Sequence, residues 1–134
     1  MESTNSSNPF IFNQKFDTTQ LLTLYENDFV YIEEVFKTVL EHFDSDLAAI
    51  QARYNENNLI ELRKSVHKIK PAFGFIGIPD IQEFCLQFEQ SCNTASGVEE
   101  LGERLKKLMD TLNECKTVIQ QEYEKLVLYN KAQP

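Results

Sequence analysis

From Phe29 to Tyr54 the apolar side chains fall at Phe29, Ile32, Phe36, Val39, Phe43, Leu47, Ile50 and Tyr54, in steps of three and four. That spacing keeps side chains on one face of a helix and would scatter them over both faces of a strand. The same rhythm returns at Leu59, Leu62, Val66, Ile69 and Phe73. It returns again at Val98, Leu101, Leu105, Leu108, Leu112, Cys115 and Ile119, as a near-heptad seam. Between them lies a shorter apolar set, Ile81, Phe84, Cys85, Phe88 and Cys92. Helices with one apolar face owe most of their stability to burying it against one another. No alternating run of β-branched residues competes with this pattern. The chain is therefore expected to be all-α, an up-and-down antiparallel four-helix bundle with a short extra helix at its N-terminal end.

Polar punctuation sets the boundaries. Asp17-Thr18-Thr19-Gln20 resembles a capping box and opens the short helix, with Leu21, Leu24 and Tyr25 facing inward to cover one end of the bundle. Asn27 or Asp28 can cap the second helix, and Asn55-Glu56-Asn57-Asn58 breaks it from the third. Gly77-Ile78-Pro79 reads as a turn, with Pro79 suited to a first helical position and Asp80 with Glu83 offering another capping pattern. Asn93 to Gly97 is a loop, and the last helix is expected from about Val98 to Leu128. Residues 1–16 read as a flexible tail whose end, Phe10, Ile11, Phe12 and Phe16, can fold back on the bundle. Residues 17–134 are then the bundle domain.

A chain of 134 residues is expected to make one domain with a single modest core. Gly and Pro number four each, too few for a loop-rich all-β domain. No apolar run is long enough to span a bilayer, and the N-terminus lacks the basic and apolar regions of a secretory signal. No membrane association is expected. Cys85, Cys92 and Cys115 are odd in number and lack CxxC spacing, so they read as buried thiols in a reducing cytoplasm. A net charge of -8 argues against nonspecific nucleic-acid binding.

Against that acidic background one segment is basic. Arg63, Lys64, Lys68 and Lys70 surround His67, and Pro71, Gly74 and Gly77 follow. At about 100° per residue His67 sits about 120° from the centre of its helix's apolar stripe, so it is an exposed position. Arg63, Lys70 and Gly74 share its face, and the small bulk at Pro71 and Gly74 would let another macromolecule approach the imidazole. An ordinary solvated histidine on a basic face is the competing reading. Pro71 removes the amide that would bond the His67 carbonyl, at about 3 kcal/mol in a regular helix interior, and predicts a kink or an early end.

A neutral imidazole can attack phosphorus through one ring nitrogen if the other holds the proton. The protonated nitrogen then needs an acceptor. Glu89, beside the buried Phe88, can supply it if the third and fourth helices pack antiparallel; otherwise Glu89 is a solvated helix residue. The Lys70 ammonium, one turn beyond His67, can neutralise phosphoryl oxygens, as can Arg63 or Lys64. The chain has no glycine-rich phosphate loop, so it would take its phosphoryl group from another protein rather than from a nucleotide of its own.

At these residues the chain resembles the histidine-containing phosphotransfer (HPt) domains of two-component phosphorelays. Their helical motif is His-x-Leu-Lys-Gly-x-x-x-x-Leu-Gly. Here it reads His67-Lys68-Ile69-Lys70-Pro71-Ala72-Phe73-Gly74-Phe75-Ile76-Gly77, with proline standing where the family usually has glycine. Phe88-Glu89 occupies the place of the family's acidic or amide residue on the next helix, and the resemblance runs over about residues 17 to 120. It implies a phosphoryl group carried on His67 between receiver-domain aspartates of hybrid sensor histidine kinases and response regulators. Lys70 and Glu89 would assist, and docking would fall on Arg63, Lys64, Lys68, Pro71 and Gly74. It implies no cofactor and no metal of the chain's own, the magnesium coming with the receiver. A monomeric, cytoplasmic, standalone protein is expected. The alternative is a helical module that binds receivers without being phosphorylated, for which Pro71 is the main argument. A di-iron carboxylate bundle fails, since it needs paired Glu-x-x-His motifs and none occurs.

Overall fold

The computed structural model describes residues 10–134. Residues 1–9, most of the expected polar tail, lie outside the described residues. Among the described residues five α-helices follow one another: α1 (Thr18–Leu24), α2 (Phe29–Asn55), α3 (Leu59–Phe75), α4 (Pro79–Thr94) and α5 (Gly102–Lys131). A 3-10 turn, Val98–Leu101, leads into α5, so the last helix starts four residues later than expected. Among the described residues there is no strand. The helices α2 to α5 form the bundle, all-α as the stripes require. Ile32, Phe36, Phe43 and Ile50 of α2 meet Leu62, Val66, Ile69 and Phe73 of α3 and Leu105, Leu108, Leu112 and Ile119 of α5 in one core.

The ends follow from local chemistry. Asp17, Asp28 and Asn58 each accept the amide of the residue three positions on, from Gln20, Tyr31 and Glu61. The α4 start differs from expectation. Pro79 does stand first in the helix, but Ile78 takes the cap position without a side-chain bond, and Asp80 falls inside the first turn. Its charge there still favours the positive end of the helix dipole. Helix α3 ends at Gly77, whose φ of +73° only glycine adopts without strain. The Ile78 amide bonds the Phe73 carbonyl and the Gly77 amide bonds that of Gly74, a Schellman turn. The chain thus reverses tightly, and α4 returns antiparallel along α3.

Helix α1 seals that reversal. The Asp17 amide bonds the Gly77 carbonyl at 2.6 Å, Gln20 Nε2 bonds that of Gly74 at 3.0 Å, and Tyr25 Oη bonds that of Phe75 at 2.6 Å. The Phe75 and Gly77 carbonyls lie past the last intrahelical bonds of α3 and that of Gly74 already takes the Gly77 amide; the α1 segment supplies a donor to each. Pro71 neither ends nor interrupts α3, which continues to Phe75. Pro71 is exposed, so the His67 carbonyl deprived of its amide faces the outer side of the helix, where water can bond it.

The segment before α1 folds back on the bundle. Phe10, Phe12 and Phe16 are 9%, 5% and 4% exposed and belong to the core. Phe12 stacks near Phe29 and Phe36, and Phe10 meets Tyr129 edge-on. The buried Glu122 of α5 accepts the Asn13 amide and pairs with Lys125, and Lys125 bonds the Ile11 carbonyl. Three aromatic rings and a buried anchor hold this segment between α2 and α5.

Candidate functional site

His67 lies in the middle of α3, and Glu89 lies in α4 equally far beyond the reversal at Ile78. An antiparallel pair joined by so short a turn brings two such positions side by side. The His67 imidazole is 63% exposed, while its neighbours Val66 and Ile69 are buried. Glu89 is 6% exposed. Its Oε1 stands 2.8 Å from His67 Nδ1. Its Oε2 stands 2.7 Å from Lys70 Nζ, a charge contact without the alignment of a hydrogen bond. A carboxylate only accepts, so Nδ1 is the donor toward Glu89, and in the neutral ring Nε2 then holds the lone pair. One buried carboxylate therefore fixes both the tautomer and the orientation of an exposed ring.

Lys70 is drawn inward. Its side chain is 18% exposed, and in this state its ammonium meets the Glu89 carboxylate. The other cations of the basic island are spread over the surface. Lys64 pairs with Glu61 at 3.3 Å and Lys68 with Asp46 of α2 at 3.6 Å, so part of the island's charge is already balanced. Arg63 is half-buried, one turn before His67. Pro71 is exposed, whereas Gly74 is half-buried: a Cβ there would stand 3.0 Å from Gln82 Nε2. The Gly74 surface is thus lined by the Gln82 side chain rather than left open.

Sequence reasoning missed a groove beside the site. It has a volume of about 360 Å³ and runs between α2 and α3, with Val39, Phe43 and Asp46 on one side and Lys68, Pro71 and Phe75 on the other. Phe75 is 55% exposed although aromatic, and its position off the α3 stripe was the available signal. Burial pushes the thiols of Cys85 and Cys115 up to about 12 and that of Cys92 to about 11, which leaves them unreactive near neutrality. No described helix is long and apolar enough to cross a membrane.

A similar fold occurs in the crystal structure of the HPT domain from the Hpt sensor hybrid histidine kinase from Shewanella. The two share 21% identity with a TM-score of 0.68, over 80% of this chain and 92% of that one. A comparison with curated proteins gives no significant match. The family model described as Hpt domain matches residues 34–125, a span that takes in both His67 and Glu89. That match extends over more than half of the sequence, and the chain belongs to the Hpt domain family.

Proposed function

We propose that this chain carries a phosphoryl group on His67 Nε2 between receiver-domain aspartates of hybrid sensor kinases and response regulators. The observation that carries the reading is the exposed imidazole held through Nδ1 on the buried carboxylate of Glu89. The Nε2 lone pair attacks the phosphorus of a receiver's aspartyl phosphate. The N–P bond forms as the acyl P–O bond breaks, and the aspartate leaves as a carboxylate. The proton stays on Nδ1, and the positive charge that develops on the ring is met by Glu89. The reverse transfer to a second receiver uses the same groups. Catalysis by the chain itself is positioning and charge stabilisation, and no nucleotide site is needed.

Docking falls on the face that carries His67 and Pro71, flanked by Arg63, Lys64, Lys68 and Gly74. The cations favour an acidic receiver surface and make association sensitive to salt. The alternative, a helical module that binds receivers without being phosphorylated, draws its support from Pro71, which stands where the family usually has glycine; α3 runs through that residue. The test is transfer of label from phosphorylated receiver domains. Wild type should take up label that is lost in acid and kept in base, as a nitrogen-bound phosphoryl group is. His67→Gln should fold and take up none. Label persisting in that variant would place the nucleophile elsewhere.

A further inference from the structure

The four cations around His67 are not equally free. Lys64 pairs with Glu61 at 3.3 Å, Lys68 with Asp46 at 3.6 Å and Lys70 with Glu89 at 2.7 Å. Among the described residues Arg63 pairs with no carboxylate. It is half-buried, yet none of its guanidinium nitrogens is sealed from water. The stem is covered and the charged fork is open. Arg63 stands one turn before His67 on the same face of α3. Helical side chains lean toward the N-terminal end of their helix, so the imidazole leans toward Arg63. The Arg63 charge also reaches α4: burial pushes the Cys92 thiol up to about 11, and Arg63 opposes that rise. Cys92 follows Glu89 by one helical turn. The guanidinium therefore stands at the seam of α3 and α4, the seam across which Glu89 holds His67 Nδ1.

We propose that Arg63 holds the oxygens of the phosphoryl group carried on His67 Nε2, rather than serving only to attract the receiver. This rests on the reading of His67 as the carrier. A phosphoryl group on Nε2 brings negative oxygens beside a ring whose own positive charge is answered by Glu89. Lys64, Lys68 and Lys70 could turn to those oxygens only by leaving a carboxylate behind, and for Lys70 that carboxylate is buried. Arg63 gives up only water. Its planar fork can bond two phosphoryl oxygens at once, which a lysine cannot do. The phosphoryl group brings more negative charge than the imidazolium it creates, so a cation at position 63 favours the phosphorylated state.

Phosphoramidate separates this role from docking, because it has no protein surface to dock. The Nε2 lone pair bonds to phosphorus as the P–N bond breaks, and ammonia leaves with that electron pair. The ratio of phosphorylated to free His67, at fixed phosphoramidate and ammonium concentrations and about pH 8, where imidazoles are neutral, is read by phosphorus NMR. Arg63→Gln should lower this ratio about fivefold, the upper range for an ion pair open to water. Arg63→Lys should lower it less, because the charge remains. Lys107→Gln, which removes a like charge from an exposed position on α5, should change it by less than about twofold. A fall as large in Lys107→Gln as in Arg63→Gln would show a diffuse field and overturn the proposal. An unchanged ratio in Arg63→Gln, with transfer from receivers slowed, would leave Arg63 a docking residue and overturn it too. If Arg63→Gln does not fold, the wild type decides: the Arg63 Nε resonance should shift on phosphorylation, and an unchanged resonance would overturn the proposal. Absence of any label on wild-type His67 would instead end the carrier reading itself.

Discussion

Phe12→Ala tests whether the segment before α1 belongs to the folded domain. Phe12 is 5% exposed, and its ring centroid lies 4.7 Å from that of Phe10, 6.2 Å from Phe16, 6.3 Å from Phe29 and 6.4 Å from Phe36. Removing a buried phenyl ring from a core generally costs about 3–5 kcal/mol, as lost transfer energy plus a cavity. The segment is a short non-helical piece with one turn, so it can partly settle into the space, which favours the lower end. We expect about 3 kcal/mol, a large share of the roughly 5–15 kcal/mol that stabilises a domain of this size. Urea unfolding followed by circular dichroism should show a lower midpoint at an unchanged slope. A loss below about 1 kcal/mol, within the range of ordinary surface substitutions, would refute the reasoning. Residues 10–16 would then behave as a tail, and the burial of the three phenylalanines would carry little energy.

Gly77→Ala should destabilise the protein by about 1–2 kcal/mol for the left-handed backbone alone. The added Cβ would also stand 2.8 Å from Leu21 Cγ, so a thermal melt showing no loss would contradict the Schellman turn. Glu122→Gln should lower stability without changing phosphoryl uptake, because Glu122 holds the Asn13 amide rather than anything at His67; reduced labelling in a folded variant would contradict this. The three thiols should resist iodoacetamide at pH 8 in the native state and react promptly in denaturant. Their values stand at about 11 to 12 in the fold against an ordinary 9.0, so the unfolded chain ionises first. Their contribution to stability is therefore intact below pH 9 and is lost as pH rises from there toward 12. Unfolding midpoints that stay flat across that window in wild type would count against buried thiols.

The helices were legible because each long stripe has only one way to be buried. Ile32, Phe36, Phe43 and Ile50 could not all leave water unless α2 was a helix facing a core. The cap at Asp17, and that at Asn27 or Asp28, were legible for the same local reason, since a short polar side chain before a stripe finds amides with no other partner; Asn58 was read only as part of a polar break. Asp80 misled because Pro79, which lacks an amide, already fills the first helical position and moves the cap back to Ile78. Pro71 misled because a proline's effect depends on which way the orphaned carbonyl points, and that is a property of the packed helix. The phenylalanines at 10, 12 and 16 have no helical period. Their place depends on a groove between α2 and α5 that exists only after the bundle has formed.

Among the described residues two carboxylates are buried, and they separate what holds the protein together from the proposed site. Burying an ionised carboxylate costs several kcal/mol unless partners answer it. Glu122 continues the seam from Ile119 to Leu126, so its intrusion into the core was visible in the spacing, although its partner was not. It is answered by a lysine on its own helix and by the amide of Asn13, and its effect is to fasten the N-terminal segment. Glu89 lies on the flank of its stripe and is answered by two side chains from another helix, one of them the exposed imidazole of His67, the proposed carrier. A carboxylate wholly engaged with the scaffold can only stabilise. One that divides its charge between a scaffold lysine and an exposed imidazole changes its environment whenever that imidazole is modified. That difference in partners, rather than burial, is the reason to place Glu89 in the proposed site.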